Sequence, residues 1–172
     1  MRIQRETPAH VAAVRETTEA AFARPDQSDR SLPEVALLDQ LRAHDAWLPA
    51  LSLVALDASG VVGHVLCTRA WVDTAPALAL GPLSVHPEHQ RRGVGSALVH
   101  AVLGAADALD EPLVVLLGDP RYYSRFGFRL AGDHGIASPR PEWRSHLQAR
   151  TLTAYPASLT GRFDYADPFY RV

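Results

Sequence analysis

The sequence predicts an α+β fold in which an antiparallel meander leads into a glycine-rich loop, a helix and then a βαβ unit. Three observations carry that expectation. Two early segments repeat apolar residues at helical spacing, and three strand-like runs follow across short turn signals. After Gln90, helical and strand patterns alternate.

Ile3 to Glu6 is short and suits an edge strand. Thr7-Pro8 supplies an N-cap and a first helical residue, and Val11, Val14, Thr18 and Ala21 or Phe22 recur at helical spacing after it. A second helix spans Leu32 to Ala43, with Pro33 in its first turn and Val35, Leu38 and Leu41 as its apolar stripe. Between them, Ala23 to Ser31 is polar, carries Pro25, Asp26 and Ser28, and suits a loop that lines a site. Leu51 to Leu56, Val61 to Trp71 and Ala77 to Val85 are strands joined at Asp57-Ala58-Ser59-Gly60 and Asp73-Thr74-Ala75-Pro76. Gly81-Pro82 interrupts the third strand. Proline removes a ladder donor and glycine often marks a bulge, so the strand should be distorted there.

Helical spacing resumes at Val94 and runs through Leu98, Ala101, Val102 and Ala105. Leu113 to Leu117 is a buried strand, and Pro120 to Phe126 a short helix ended by Gly127. Gly132 to Ser145 is expected to be a long loop and Gln148 to Ala154 the last strand.

At 172 residues the chain suits one domain, 1–172. Hydrophobic residues at 47% and charged residues at 21% are ordinary for a soluble globular protein, and a net charge of −2 gives no argument for nucleic acid. All 17 basic residues are arginine, so a lysine nucleophile or Schiff base is excluded. Cys67 is the single cysteine, the first ten residues carry no apolar signal core, and no apolar run approaches the ~18 residues of a membrane span. A cytoplasmic protein without membrane partners is expected. The eight histidines show no metal-ligand spacing, so no metal is expected.

The informative segment is Gln90-Arg91-Arg92-Gly93-Val94-Gly95-Ser96, between a strand and a helix. A helix start offers unpaired N–H groups and about half a positive charge, and glycines let the backbone approach an anion. Arg91 and Arg92 add charge, so a pyrophosphate would be held well here. A Walker A loop needs lysine, which is absent. A dinucleotide fingerprint needs a third glycine where Leu98 stands. The plain alternative is a glycine-rich helix start with solvated arginines.

Gln90-x-x-Gly93-x-Gly95 resembles the acetyl-CoA signature of the GNAT superfamily of acyl-CoA N-acyltransferases. Leu83-Ser84-Val85-His86-Pro87 resembles its strand-to-loop approach, and Tyr122-Tyr123-Ser124-Arg125-Phe126-Gly127-Phe128 its Tyr-x-x-x-Gly-Phe element. Gly118 to Phe128, with the Asp164 to Phe169 tail, is similar to a bacterial subgroup of predicted N-acetyltransferases. The resemblance implies a central mixed sheet splayed around an acyl-CoA slot, with helices on both faces. It implies acetyl-CoA as co-substrate and an amine acceptor, on a small molecule or a peptide. A homodimer is common in such a family.

The resemblance further implies roles. Gln90, Arg91, Arg92, Gly93, Val94, Gly95 and Ser96 would hold the pyrophosphate, and main-chain groups in the stretch Leu83, Ser84 and Val85 the pantetheine arm. Tyr123, at the motif spacing from Gly127-Phe128, would face the departing sulfur as general acid. The general base stays open among His86, Glu88 and Asp119; His134, Glu142, Trp143 and Asp26 could contact the acceptor. Cys67 is expected in the core. A non-catalytic acyl-CoA-binding sensor or regulatory module would need the same loop without Tyr123, and an acyltransferase for longer chains would differ only in pocket size.

Overall fold

The computed structural model describes residues 1–24 and 32–172. Asp26 and most of the early loop lie outside the described residues. The elements are β1 (Arg2–Arg5), α1 (Val11–Phe22), α2 (Pro33–Arg42), β2 (Trp47–Asp57), β3 (Gly60–Val72), β4 (Ala75–Val85), α3 (Val94–Ala108), β5 (Leu113–Leu117), α4 (Pro120–Tyr123), β6 (Arg129–Leu130), β7 (Ile136–Ala137), β8 (Leu147–Thr151) and β9 (Gly161–Asp164). The main sheet runs β1-β2-β3-β4-β5-β8-β6, antiparallel except where β4 meets β5. The expected mixed sheet with an antiparallel meander is therefore present.

Several boundaries moved for visible reasons. Thr7 caps a short 3-10 turn, Pro8–His10, which feeds α1, and its backbone N–H donates to His10 Nδ1 at 3.1 Å. β2 starts at Trp47, ahead of the expected Leu51, and its register shifts between Trp47 and Ser52, around Pro49. The last expected strand ends at Thr151 rather than Ala154, because Asp107 at the end of α3 accepts the Thr153 N–H at 2.8 Å and draws the chain off the sheet. A further strand, β9, follows and pairs Phe163 and Asp164 with Val72 and Trp71 of β3. The segment expected as one long loop contains two 3-10 turns and β7, which pairs with β9.

Strand alternation sends side chains to two faces. On one, Leu53, Val65, Val114 and Leu116 pack under Val94, Leu98 and Val102 of α3. On the other, Val54 and Leu66 meet Val14 of α1 and Leu38 and Leu41 of α2. Helices thus cover both faces, and each fully buried leucine contributes about 1.5–3 kcal/mol through area removed from water.

β4 and β5 are joined only at Leu78↔Val114 and Ala79↔Val115. Below that point Arg69 of β3 reaches past β4 to Glu111, with guanidinium–carboxylate contacts of 2.6 and 2.7 Å, and also donates to Ala77 O at 3.2 Å. Above it the two strands part. The closed end of a wedge is pinned, and the other end is open.

The α1/α2 face buries a charged network. Arg42 pairs with Glu6 at 2.7 Å, and Ser52 Oγ lies 2.9 Å from His64 Nε2 and donates to the Glu6 carboxylate. Burial alone would raise the Glu6 carboxyl, but hydrogen bonds from His64 and Ser52 and the charges of His64 and Arg42 outweigh it and hold it at about 2. Burial pushes His64 below its ordinary value, against the pull of Glu6. In both cases the unfolded chain binds protons that the folded one refuses, so acid unfolds. Stability should fall below about pH 6.5 as the unfolded histidine charges, then again from about 4.5 toward 2 for Glu6. Glu6→Gln should cost about 2 kcal/mol at neutral pH, because Arg42 loses its counter-charge. It should also erase the lower-pH phase, which urea titrations across pH will show.

Candidate active site

The wedge opens where Gly81-Pro82 distorts β4. Val65 faces Leu83 and Cys67 faces Leu80, so two β4 residues stand opposite Leu66 alone: the expected bulge. Beyond it His86 N donates to Val62 O at 3.0 Å. Backbone groups alternate sides along a strand, so Ser84 bonds toward β3 while Leu83 and Val85 turn theirs toward the gap. Among the described residues no strand pairs with that edge. The Ser84 side chain lies 3.1 Å from Thr18 Oγ1 of α1, so Ser84, expected at the pantetheine arm, turns neither its hydroxyl nor its ladder groups toward the gap. Gln90 folds back, and its Nε2 donates to Val85 O at 3.1 Å.

At the same mouth stands the tip of α3. Gly93 occupies its N-cap with φ 84°, a left-handed turn that glycine adopts without strain. The first helical bond runs from Ala97 N to Gly93 O at 2.9 Å. Among the described residues, the N–H groups of Val94, Gly95 and Ser96 have no backbone acceptor. Arg91, Arg92 and Gly93 are exposed, and neither arginine has a carboxylate partner among the described residues. Free amides, a helix dipole and two guanidinium groups make a cradle for a doubly charged anion.

Across the gap α4 continues as a 3-10 turn, Ser124–Phe126, and stops at Gly127 with φ 81°. It carries both tyrosines. The Tyr122 hydroxyl reaches the α3 tip: a Cβ added to Gly95 would lie 2.9 Å from it. The Arg125 guanidinium sits 4.8 Å over the Tyr122 ring. Both are at the mouth, yet the motif spacing singled out Tyr123 alone; the adjacency of α3 and α4 is not visible in sequence.

Tyr123 packs edge-on to Tyr122 at 4.9 Å and to Phe128 at 5.8 Å. Its ring also lies over Gly118, where an added Cβ would come within 2.6 Å of Cε2. Burial first, and the neighbouring Tyr122 second, push its phenol up to about 12. Its hydroxyl makes no hydrogen bond among the described residues.

A cavity of about 740 Å³ adjoins the end of β5, lined by Gly118, Asp119, Arg121, Glu142, Trp143 and His146 among others. Of the three candidate bases, only Asp119 lies there. Its carboxylate accepts from the Arg121 backbone and guanidinium, and those hydrogen bonds hold it below the usual carboxylate range. His86 and Glu88 line a different hollow, against Ala13, Glu16 and Thr17 of α1. Nearness in sequence to the Gln90–Ser96 loop does not bring them to the β5 cavity, because the chain turns under α1 there. Glu142 and Trp143 do line the β5 cavity, whereas His134 packs edge-on to Tyr155 at 6.4 Å. Cys67 is buried in the core, and burial raises its thiol well above the usual range. Among the described residues no group of three or more His, Cys, Asp or Glu could hold a metal ion, and no helix is long and apolar enough to cross a membrane.

The model of the acetyltransferase (GNAT) domain matches residues 49–130, which carry β4, α3, β5 and α4. The Escherichia coli protein YjhQ, named an uncharacterized N-acetyltransferase, is 37% identical over 143 residues, 78% of this chain and 79% of its own length. The chain belongs to the GNAT family. GNAT membership makes it an acyltransferase. The fold agrees over almost the whole length. The crystal structure of the GNAT protein YhbS from E. coli, in complex with CoA, superposes with a TM-score of 0.88, 28% identity, and coverage of 99% of this chain and 92% of that one. A GNAT acetyltransferase from Brucella melitensis, in complex with acetyl-CoA, gives 0.78 at 31% identity, over 98% and 97% of the two chains.

Proposed function

We propose that this chain transfers an acetyl group from acetyl-CoA directly to a primary amine, on a small molecule or a peptide, in a ternary complex. One observation carries the reading: among the described residues, a strand edge with no partner strand, a helix tip with free amides and the two tyrosines of α4 converge on one wedge between β4 and β5. The α3 amides from Val94 to Ser96, with Arg91 and Arg92, take the pyrophosphate. The edge groups of Leu83 and the Val85 N–H pair with the pantetheine arm, as in a sheet ladder, while Gln90 holds the Val85 carbonyl. Gly93 supplies the turn that aims the amides, and Gln90 braces Val85 behind it. The two GNAT neighbours solved with CoA and with acetyl-CoA support this choice of co-substrate.

Tyr123 donates a hydrogen bond to the sulfur as the C–S bond breaks. With its phenol near 12 and a thiol near 8.5, full proton transfer is uphill by about 5 kcal/mol. Its service is charge stabilisation rather than delivery of a free proton.

Calorimetry with acetyl-CoA should show one-to-one binding that weakens as salt screens the phosphates. A free-thiol assay against amino acids, polyamines, aminoglycosides and peptide N-termini should then find an amine that releases CoA. Absence of binding overturns the assignment. Tight binding with no release across that panel replaces it with a sensor module.

A further inference from the structure

Acetyl transfer to an amine needs a base, since an alkylammonium is almost fully protonated at neutral pH and has no lone pair to attack with. Asp119, tied to Arg121, is a weak acceptor of protons. The same cavity, at the end of β5, is lined by one imidazole, that of His146.

β5 and β8 pair antiparallel with Leu117 opposite Leu147, and the next rung outward is the bond from Gly118 N to His146 O at 3.0 Å. Residues directly opposite in such a ladder send side chains to the same face. Gly118 has none, and the Tyr123 ring fills that space. His146 therefore stands opposite the same Gly118 over which the Tyr123 ring lies. Ser145 Oγ lies 2.8 Å from His146 Nδ1. With Nδ1–H donating to that oxygen, Nε2 keeps its lone pair, and it has no partner among the described residues. The charged side chains lining the same cavity are Asp119 and Arg121 at the start of α4 and Glu142 on the turn before β8. Imidazole is the side chain whose ordinary titration falls nearest neutrality.

We propose that His146 is the general base of the transfer, taking a proton from the acceptor ammonium through Nε2, directly or through one water. The inference rests on the acetyl-transfer reading above. The acceptor R–NH3⁺ gives one proton to Nε2, which passes it to solvent. The freed nitrogen pair forms the C–N bond at the thioester carbonyl, and the C–S pair leaves on sulfur. The nitrogen then loses a second proton, which neutralises the thiolate under the hydrogen bond from Tyr123. One hydrogen stays on the amide.

The test uses the full chain with acetyl-CoA and the best amine from the panel. His146→Gln should lower kcat by about 10²–10³-fold, leave the dissociation constant of acetyl-CoA within twofold and leave thermal stability unchanged, because the residue is exposed. The imidazole limb on the acid side of kcat/KM should vanish, and added imidazole should restore part of the rate to His146→Ala. A wild-type rate and pH profile in His146→Gln would overturn the base while leaving the transferase intact. Loss of activity in proportion to lost acetyl-CoA affinity, with no imidazole rescue, would also overturn it. No thiol release by the wild-type chain would remove both readings together.

Discussion

Gly95→Glu should abolish acetyl-CoA binding while the protein stays folded. A Cβ at this position lies 2.9 Å from the Tyr122 hydroxyl, 3.6 Å from Val85 Cγ2 and 4.0 Å from Leu83 Cδ2, so the side chain is driven into the mouth of the wedge. The tyrosine tip can give way, which makes Gly95→Ala a mild variant. The carboxylate cannot be accommodated so easily. At about 4 Å from a phosphate and an effective dielectric of about 20, like charges repel by about 4 kcal/mol. A hundredfold loss of affinity, about 2.7 kcal/mol, is therefore a lower bound. The same charge suits a helix start and stabilises it by about 0.3–1 kcal/mol, so the melting temperature should hold or rise slightly. Calorimetry beside a thermal melt separates the two effects. Wild-type affinity in Gly95→Glu would mean that the anion sits elsewhere.

Tyr123→Phe should lower kcat by about 10²-fold and leave the dissociation constant of acetyl-CoA within twofold. The ring keeps its contacts with Gly118, Phe126 and Phe128, and only an oxygen without a partner among the described residues is lost. Deleting one well-placed donor to developing charge typically costs about 10²–10³ in rate. Because the phenol sits near 12, it remains a donor across the whole neutral range, and the wild-type rate should show no basic limb from Tyr123 below about pH 11. Rapid-quench measurement of the chemical step is the decisive readout; an unchanged rate there removes Tyr123 from the reaction.

Local patterns in the chain were enough for the meander, the bulge at Gly81-Pro82, the helix start at Val94 and the stop at Gly127, because glycine, proline and periodicity act within a few residues. What escaped depends on partners far apart along the chain. β9 is short, and its reason to exist is the β3 edge it closes, with Arg162 N donating to Asp73 Oδ1 at 2.9 Å beside it. His146 has no motif of its own; its place comes from the β5–β8 register opposite Gly118. Glu6, Arg42 and His64 come from three separate elements and meet only once α2 packs on the sheet. Proximity in sequence drew attention to His86 and Glu88, and α1 shows why that cue failed.

The Arg69–Glu111 contact and the two rungs beside it act as the pivot of a pair of tongs, with one blade carrying β1 to β4 and the other β5, β8 and β6. Beyond the pivot no ladder bond crosses from blade to blade. A guest entering between them breaks no β4–β5 ladder bond, while the shared core under α3 keeps the two blades together.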